Sequence, residues 1–282
     1  MILNRRSFLA VSGAGLLTPA ASARLRGLKI GVTDWNLKQT GKLEAVQLAN
    51  RLGFQGVQIS LGRQVTNNKL PLDDTELIGQ YLQASKKYSI PLDGTCLDVL
   101  HVHYLKNDKL GQRWVVDGIR LTKALGVKVM LLPFFGKGAL DTQQEKDFVG
   151  DTLREIAPEA ERAGVILGLE DTISAEDNVR IMDRARSKAV LVYYDIGNSS
   201  KNGFNVTREI DWLGKKRICQ MHFKDNPNYL GEGNIDMAGV LRSVSRIGYE
   251  GFANLETDSP SKSVEADMKR NLAYVRKMME QV

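Results

Sequence analysis

Short apolar runs alternate with longer amphipathic stretches along almost the whole chain. The runs span Leu28 to Thr33, Phe54 to Ile59, Ile90 to Leu97, Val127 to Leu132, Val165 to Glu170, Ala189 to Asp195, Arg217 to Phe223 and Gly251 to Glu256. Each is rich in Val, Ile, Leu or aromatics and most end at turn-forming Asp, Asn, Gly or Pro, the signature of a parallel strand buried on both faces. Between them the apolar positions recur at helical spacing. Val149, Leu153, Ile156, Ala160 and Ala163 form one stripe, and Val264, Met268, Leu272, Val275 and Met279 another, each fit to pack a helix onto a sheet. Eight strand–helix units in unbroken alternation predict an α/β chain folded as a single (β/α)8 TIM barrel, since a doubly wound sheet usually stops short of eight strands. No linker or low-complexity tract divides it.

The first 23 residues fall outside that pattern. Asn4-Arg5-Arg6-Ser7-Phe8-Leu9 leads into an apolar stretch from Ala10 to Leu17, and Ala21-Ser22-Ala23 supplies a small-residue cleavage pattern. Together they predict a twin-arginine signal over 1–23, cleavage after Ala23, a mature barrel over 24–282 and a periplasmic or otherwise exported protein. The apolar stretch is too short for a stable membrane anchor.

Composition narrows the rest. The 282 residues are 43% hydrophobic, enough for a full core. The formal charge is +6, falling to +4 once Arg5 and Arg6 are removed, but the basic residues are scattered with no dense run among aromatics. Nucleic acid is therefore not an expected partner. Cys96 and Cys219 lie on the third and seventh predicted strands and have no metal-type spacing, so no disulfide framework is expected.

Four of the runs close on residues able to bind a metal. Glu170 ends VILGLE, Asp195 ends VLVYYD, His222 stands in ICQMHF and Glu256 ends GFANLE, at separations of 25, 27 and 34 residues. Each gap holds one helix with its loops, which makes the strands neighbours and lets the side chains converge. In a TIM barrel the carboxyl ends of the strands carry the active site. Two Glu, one Asp and one His make an oxygen-rich set suited to one divalent ion with open positions for substrate, manganese first, with magnesium, cobalt or zinc as alternatives.

With these residues in place the chain resembles the xylose isomerase-like TIM barrels, often labelled sugar phosphate isomerases/epimerases. The similarity rests on the strand-end Glu170, the D-x-G-N of Asp195 to Asn198, the H-x-K-D of His222 to Asp225, the glycine-bearing stretch Gly231 to Asp236 and the N-L-E-T around Glu256. The resemblance implies that Glu170, Asp195, His222 and Glu256 bind one divalent metal and that the two glutamates also move protons. Chemically, a metal that polarises a sugar carbonyl stabilises the enediolate left when a neighbouring carbon loses its proton, and glutamates on opposite faces can remove and return that proton. Two positions depart from the ketose 3-epimerases of the family: Asn198 stands where they have His, and Asn228 where they have Arg. Substrate contacts are expected instead from His103 (with His101), Lys224, Asp225, Asn198 and Trp35, the last placed to stack on a sugar face. Gly231 and Gly233 read as turn-formers before a helix capped by Asp236 rather than as a phosphate site.

The leading expectation is an isomerase or epimerase of a carbohydrate or related polyol ketone. A lyase or dehydratase on keto-sugars or keto-glycosides, starting from the same proton abstraction, and a non-catalytic carbohydrate-binding barrel are the alternatives. Metal-dependent DNA cleavage on a histidine-rich trinuclear site is disfavoured by a count of three histidines. A homo-oligomer is left open.

Overall fold

The computed structural model describes Leu25 and residues 27–282, so the export signal expected over 1–23 lies outside the described residues. Eight parallel strands close into a barrel in the order β1 to β8: β1 Leu28–Thr33, β2 Val57–Ser60, β3 Leu92–Cys96, β4 Val129–Pro133, β5 Ile166–Glu170, β6 Val190–Asp195, β7 Ile218–Phe223 and β8 Gly251–Leu255. Pairing of β1 with β8, from Leu28 opposite Gly251 to Val32 opposite Leu255, closes the ring. The helices α1 Glu44–Leu52, α2 Thr75–Tyr88, α3 Lys109–Ala124, α4 Gln143–Ala163, α5 Ala175–Ala185, α6 Ile196–Lys201, α7 Val206–Arg217, α8 Met237–Arg246 and α9 Val264–Gln281 lie between the strands, with α6 and α7 both following β6. The single (β/α)8 barrel expected from the alternation is what forms. Among the described residues no helix is long and apolar enough to cross a membrane, and both cysteines are free.

Several expected strands begin too early, and one local device explains it. Phe54, Ile90, Val127, Val165 and Tyr249 each donate their amide to the carbonyl five residues back, on Ala49, Ser85, Thr122, Ala160 and Val244, at 2.9–3.1 Å. These are Schellman closures, in which the residue after a left-handed C-cap turns an apolar side chain back onto its own helix. Gly53 at φ 89° and Gly164 at φ 71° supply two of those caps. Phe54, Ile90, Val127 and Val165 are therefore hydrophobic for the sake of the preceding helix, although they read as the head of the next strand. At the other end of α4, Thr142 and Glu145 form a reciprocal capping box.

Inside the barrel the packing is partly polar. Gln58, Asp93, Gln220, Asn254 and the ring of Tyr193 are buried together below the carboxyl ends of the strands. Gly31 makes the room: a Cβ there would fall 1.9 Å from Asn254 Oδ1 and 2.4 Å from Asp93 Oδ2. Asp93 accepts from Asn254 Nδ2 at 3.0 Å and from Gln220 Nε2 at 3.2 Å.

Burial dominates the ionisation of Asp93. It pushes the pKa up to about 7 from 3.8, against the opposing pull of the Asn254 and Gln220 hydrogen bonds and the His222 charge. The folded state thus keeps a proton that the unfolded chain loses, so the associated stability is complete below pH 3.8 and is lost as pH rises through about 7. The metal-free protein should accordingly melt at lower temperature at pH 8 than at pH 5. Asp93→Asn should flatten that slope, only in part because Asp34 behaves alike; an unchanged slope by calorimetry would show that Asp93 is ionised throughout.

Candidate metal centre

Strand register brings the four predicted ligands together. Asp195 ends β6 and stands opposite His222 of β7. His222 in turn faces Asn254 of β8, and Glu256, just beyond that strand, donates its amide to Phe223 O at 3.1 Å. Glu170 ends β5, opposite Pro133 of β4. One donor atom from each of Glu170, Asp195, His222 and Glu256 lies within 4.8 Å of the other three. His222 Nδ1 is 2.9 Å from Glu170 Oε1 and 3.6 Å from both Asp195 Oδ2 and Glu256 Oε2.

Neighbouring donors orient each carboxylate. Asp195 caps α6, its Oδ1 accepting the amide of Asn198 at 2.8 Å, which turns Oδ2 inward. That inner oxygen is buried without an aligned hydrogen-bond donor. Lys224 Nζ lies only 2.7 Å from it, so the contact is an ion pair of poor hydrogen-bond alignment. Trp35 Nε1 donates to Glu256 Oε1 at 2.9 Å, and Lys224 also meets Glu256 Oε2. Asn198 Nδ2 makes a long contact of 3.4 Å with Glu170 Oε1. Tyr193 and Trp35 flank the imidazole, with ring centroids 4.6 and 5.9 Å away.

The ionisation states follow from burial and charge. Burial pushes Glu170 up to about 7; the His222 charge opposes this and the Glu256 charge reinforces it. Burial acts the same way on Asp195, but the Lys224 ammonium and His222 outweigh it and hold the carboxyl below its usual range. For His222 burial favours the neutral ring, yet the Glu256 and Glu170 charges win and raise its pKa to about 10. Without a metal, then, imidazolium and ammonium supply the positive charge three clustered carboxylates require. The donor set fits a divalent ion: three hard oxygen donors, one imidazole nitrogen, and an inward oxygen lacking an aligned donor.

The centre opens into a cavity of about 440 Å³ whose wall includes Trp35, Asn198 and Lys224 together with Glu170 and Glu256. Other expectations are corrected. His101, rather than His103, reaches this cavity; His103 Nδ1 is turned to Asp108 Oδ2 at 2.9 Å, in the cap of α3. Asp225 is buried and holds the amides of Gly233 and Asn234 at 2.9 and 3.1 Å, so its carboxylate is occupied in shaping the loop. It borders a second cavity of about 650 Å³ that shares Asn198 and Lys224 with the first. Asp236 caps α8 through the Gly239 amide, as the turn reading expected. Trp114 is buried, whereas Trp212 is exposed with the Arg217 guanidinium over its ring.

Four residues that line the main cavity carried no weight in the sequence: Ser60, Arg63, Asp98 and Phe135. Asp98 accepts from Ser60 Oγ at 2.5 Å. Its pKa is pushed up to about 6, burial outweighing that hydrogen bond. Its place just past β3 was the available signal.

A parallel barrel carrying a carboxylate–histidine cluster at the carboxyl ends of its strands defines the class: a TIM-barrel protein with a candidate divalent-metal site. Residues 46–278 match the xylose isomerase-like TIM barrel family, and the chain belongs to it. It is 30% identical over 131 residues to an uncharacterised protein of Methanocaldococcus jannaschii, a match covering 41% of this chain and 44% of that one, so it spans less than half of that relative. It is 22% identical over 223 residues to the 2-epi-5-epi-valiolone 7-phosphate 2-epimerase of an Actinoplanes strain, covering 78% and 82% of the two chains. In three dimensions it resembles the 3-keto-D-glucoside 4-epimerase of E. coli with a TM-score of 0.71 at 17% identity, over 89% of this chain and 99% of that one, a likeness of fold.

Because a proton must leave His222 Nδ1 before that atom can bind a metal, uptake should release protons and tighten as pH rises from 6 to 9. Purified protein should hold about one divalent ion per chain, and His222→Ala and Asp195→Ala should each lose most of it. Elemental analysis showing full occupancy in both variants would overturn the ligand assignment.

Proposed function

We propose that the protein is a metal-dependent isomerase or epimerase acting on a carbohydrate or related polyol ketone. The observation that carries this is the pairing of Glu170 with Glu256 across a cavity-facing metal-type centre. A divalent ion held by Glu170, Asp195, His222 and Glu256 would polarise a carbonyl and lower the cost of removing a proton from the adjacent carbon. Manganese is the first choice for such an oxygen-rich site. The class is supported by the similarity to a valiolone 7-phosphate 2-epimerase and, in fold, to a 3-keto-D-glucoside 4-epimerase.

Glu170 serves as the proton acceptor. Its carboxylate faces the cavity beside the candidate ion, where it can take a proton from a carbon held over the centre. Glu256, oriented by Trp35 Nε1, returns the proton from the other side. Lys224, anchored on Asp195, offers remaining donors to a substrate oxygen that gains negative charge. Trp35 gives an apolar wall for a sugar ring, and His101 stacks on Phe135 at 6.2 Å to form another part of the lining. A lyase on keto-sugars or keto-glycosides would begin with the same step, and the second cavity adjoining Asn198 and Lys224 offers space for a substituent beyond the reacting ring. The arginine pair at Arg5 and Arg6 leads us to propose that this chemistry takes place outside the cytoplasm.

Glu170→Gln and Glu256→Gln should fold normally and lose exchange of substrate carbon-bound hydrogen with deuterated water by roughly 10²- to 10⁴-fold, the usual worth of a positioned acid–base group. Metal content should fall less, since the amide oxygen remains a weak donor but carries no proton. A panel of ketoses and keto-glycosides followed by NMR serves for the assay. Turnover by the wild type without solvent exchange, with both variants still active, would reject the mechanism.

A further inference from the structure

We propose that Gln58 is a positioning residue for the metal centre: its amide oxygen fixes the proton of His222 on Nε2 and so presents Nδ1 as the ligand atom. The inference rests on the metal reading given above. Gln58 lies in β2, is fully buried and makes no hydrogen bond to the three candidate ligand carboxylates. What it does touch is the far side of the imidazole, where His222 Nε2 is 2.8 Å from Gln58 Oε1.

Which end of the Gln58 amide faces the ring follows from the polar groups below it. Asp93 Oδ1 accepts from both Gln220 Nε2 and Asn254 Nδ2, which leaves the acid proton to Oδ2 and turns the NH2 of Asn254 toward the carboxyl group. That same NH2 lies 3.3 Å from Gln58 Oε1 and 3.3 Å from Tyr193 Oη. Tyr193 in turn donates to Gln58 Oε1 at 3.0 Å. An NH2 group cannot accept these donors, so Gln58 presents oxygen, and an oxygen facing His222 Nε2 requires a proton on that nitrogen. The opposite tautomer would set two lone pairs against each other at 2.8 Å. Flipping the Gln58 amide to relieve this would set its NH2 against that of Asn254, whose own orientation is tied to Asp93. The orientation is thus propagated over four residues from the barrel interior to the ligand.

On the other side of the ring, Nδ1 faces Glu170, Asp195 and Glu256 at 2.9, 3.6 and 3.6 Å. Once the Nδ1 proton has left, Nδ1 offers its lone pair among three carboxylates while Nε2–H stays bound. An acceptor bonded to the distal nitrogen also raises the basicity of the ligating one. Tyr193 therefore acts twice, through its hydroxyl on Gln58 and through its ring beside the imidazole.

The test uses purified protein stripped of metal and titrated with Mn²⁺ alone. Gln58→Leu, which removes the acceptor, should weaken Mn²⁺ binding by about 10- to 100-fold, the usual effect of losing such a partner. Gln58→Glu keeps an acceptor at the same place and should hold affinity within a few-fold of wild type, because Gln58 Nε2 has no partner to lose. Wild-type protein labelled with ¹⁵N-histidine and loaded with Zn²⁺ gives a reading that needs no variant; with three histidines in the chain the spectrum is simple. His222 should show a protonated Nε2 and a metal-bound Nδ1. Zn²⁺ on Nε2, Mn²⁺ affinity unchanged in Gln58→Leu, or equal loss in the Leu and Glu variants would each overturn the positioning role. Failure of the wild type to bind either ion would instead remove the metal reading, and this inference with it.

Discussion

Three carboxylates and an imidazole brought within 4.8 Å of one another, mostly buried at the barrel mouth, impose the main physical constraint on this molecule. Coulomb repulsion at such separations is strong wherever water is excluded, so the cluster persists only if positive charge is supplied at the same place. The chain supplies it internally through Lys224, which bridges Asp195 and Glu256, and through a His222 ring raised to about 10. A divalent ion would do the same with shorter and more directional contacts. The residues that compensate the cluster without metal would thus compete with one, and displacing the His222 proton would couple metal uptake to proton release.

The barrel interior beneath the centre answers the same constraint in another way. A filling of Leu and Val there would pack well but would leave His222 Nε2 buried without a partner, at a cost of about 1–3 kcal/mol. Gln58, Tyr193, Asn254, Gln220 and Asp93 provide that partner and satisfy most of one another's polar atoms. The bottom of this network is neutralised by protonation, since burial lifts Asp93 to about 7. Negative charge is therefore concentrated at the mouth, where it has a use, and reduced below it.

Much of this was legible in the chain because strand ends and ligands coincide in sequence. Glu170, Asp195, His222 and Glu256 each close an apolar run, and parallel register does the rest. The interior network was not legible. Gln58 and Asp93 stand inside runs that read as strands, and nothing in a single strand's pattern says that polar side chains from β2, β3, β7 and β8 meet across the barrel axis. Strand starts were misplaced for a related reason: Phe54 and Val165 are hydrophobic on account of the helix before them. The choice between His101 and His103 turned on a 3-10 turn at Asp98–His101 that sends one ring to the cavity and leaves the other to the α3 cap.

The two departures from the ketose 3-epimerases acquire a physical meaning in this setting. Asn198 faces Glu170 Oε1 with a neutral amide at 3.4 Å. A protonated histidine in its place would lower the pKa of Glu170, whereas the amide leaves burial in command and the carboxyl near neutrality. Asn228 has its amide in a turn closed on Asp225 O, and no arginine extends from that position. The cationic side chains of the main cavity are instead Lys224, spent largely on the carboxylates, and Arg63, near Asp98. A substrate spanning the two would meet its second set of charged contacts from the ends of β2 and β3 rather than from the loop after β7. Under the proposed function, that arrangement would separate the proton-transfer groups on β5 to β8 from the surface that would select what is placed over them.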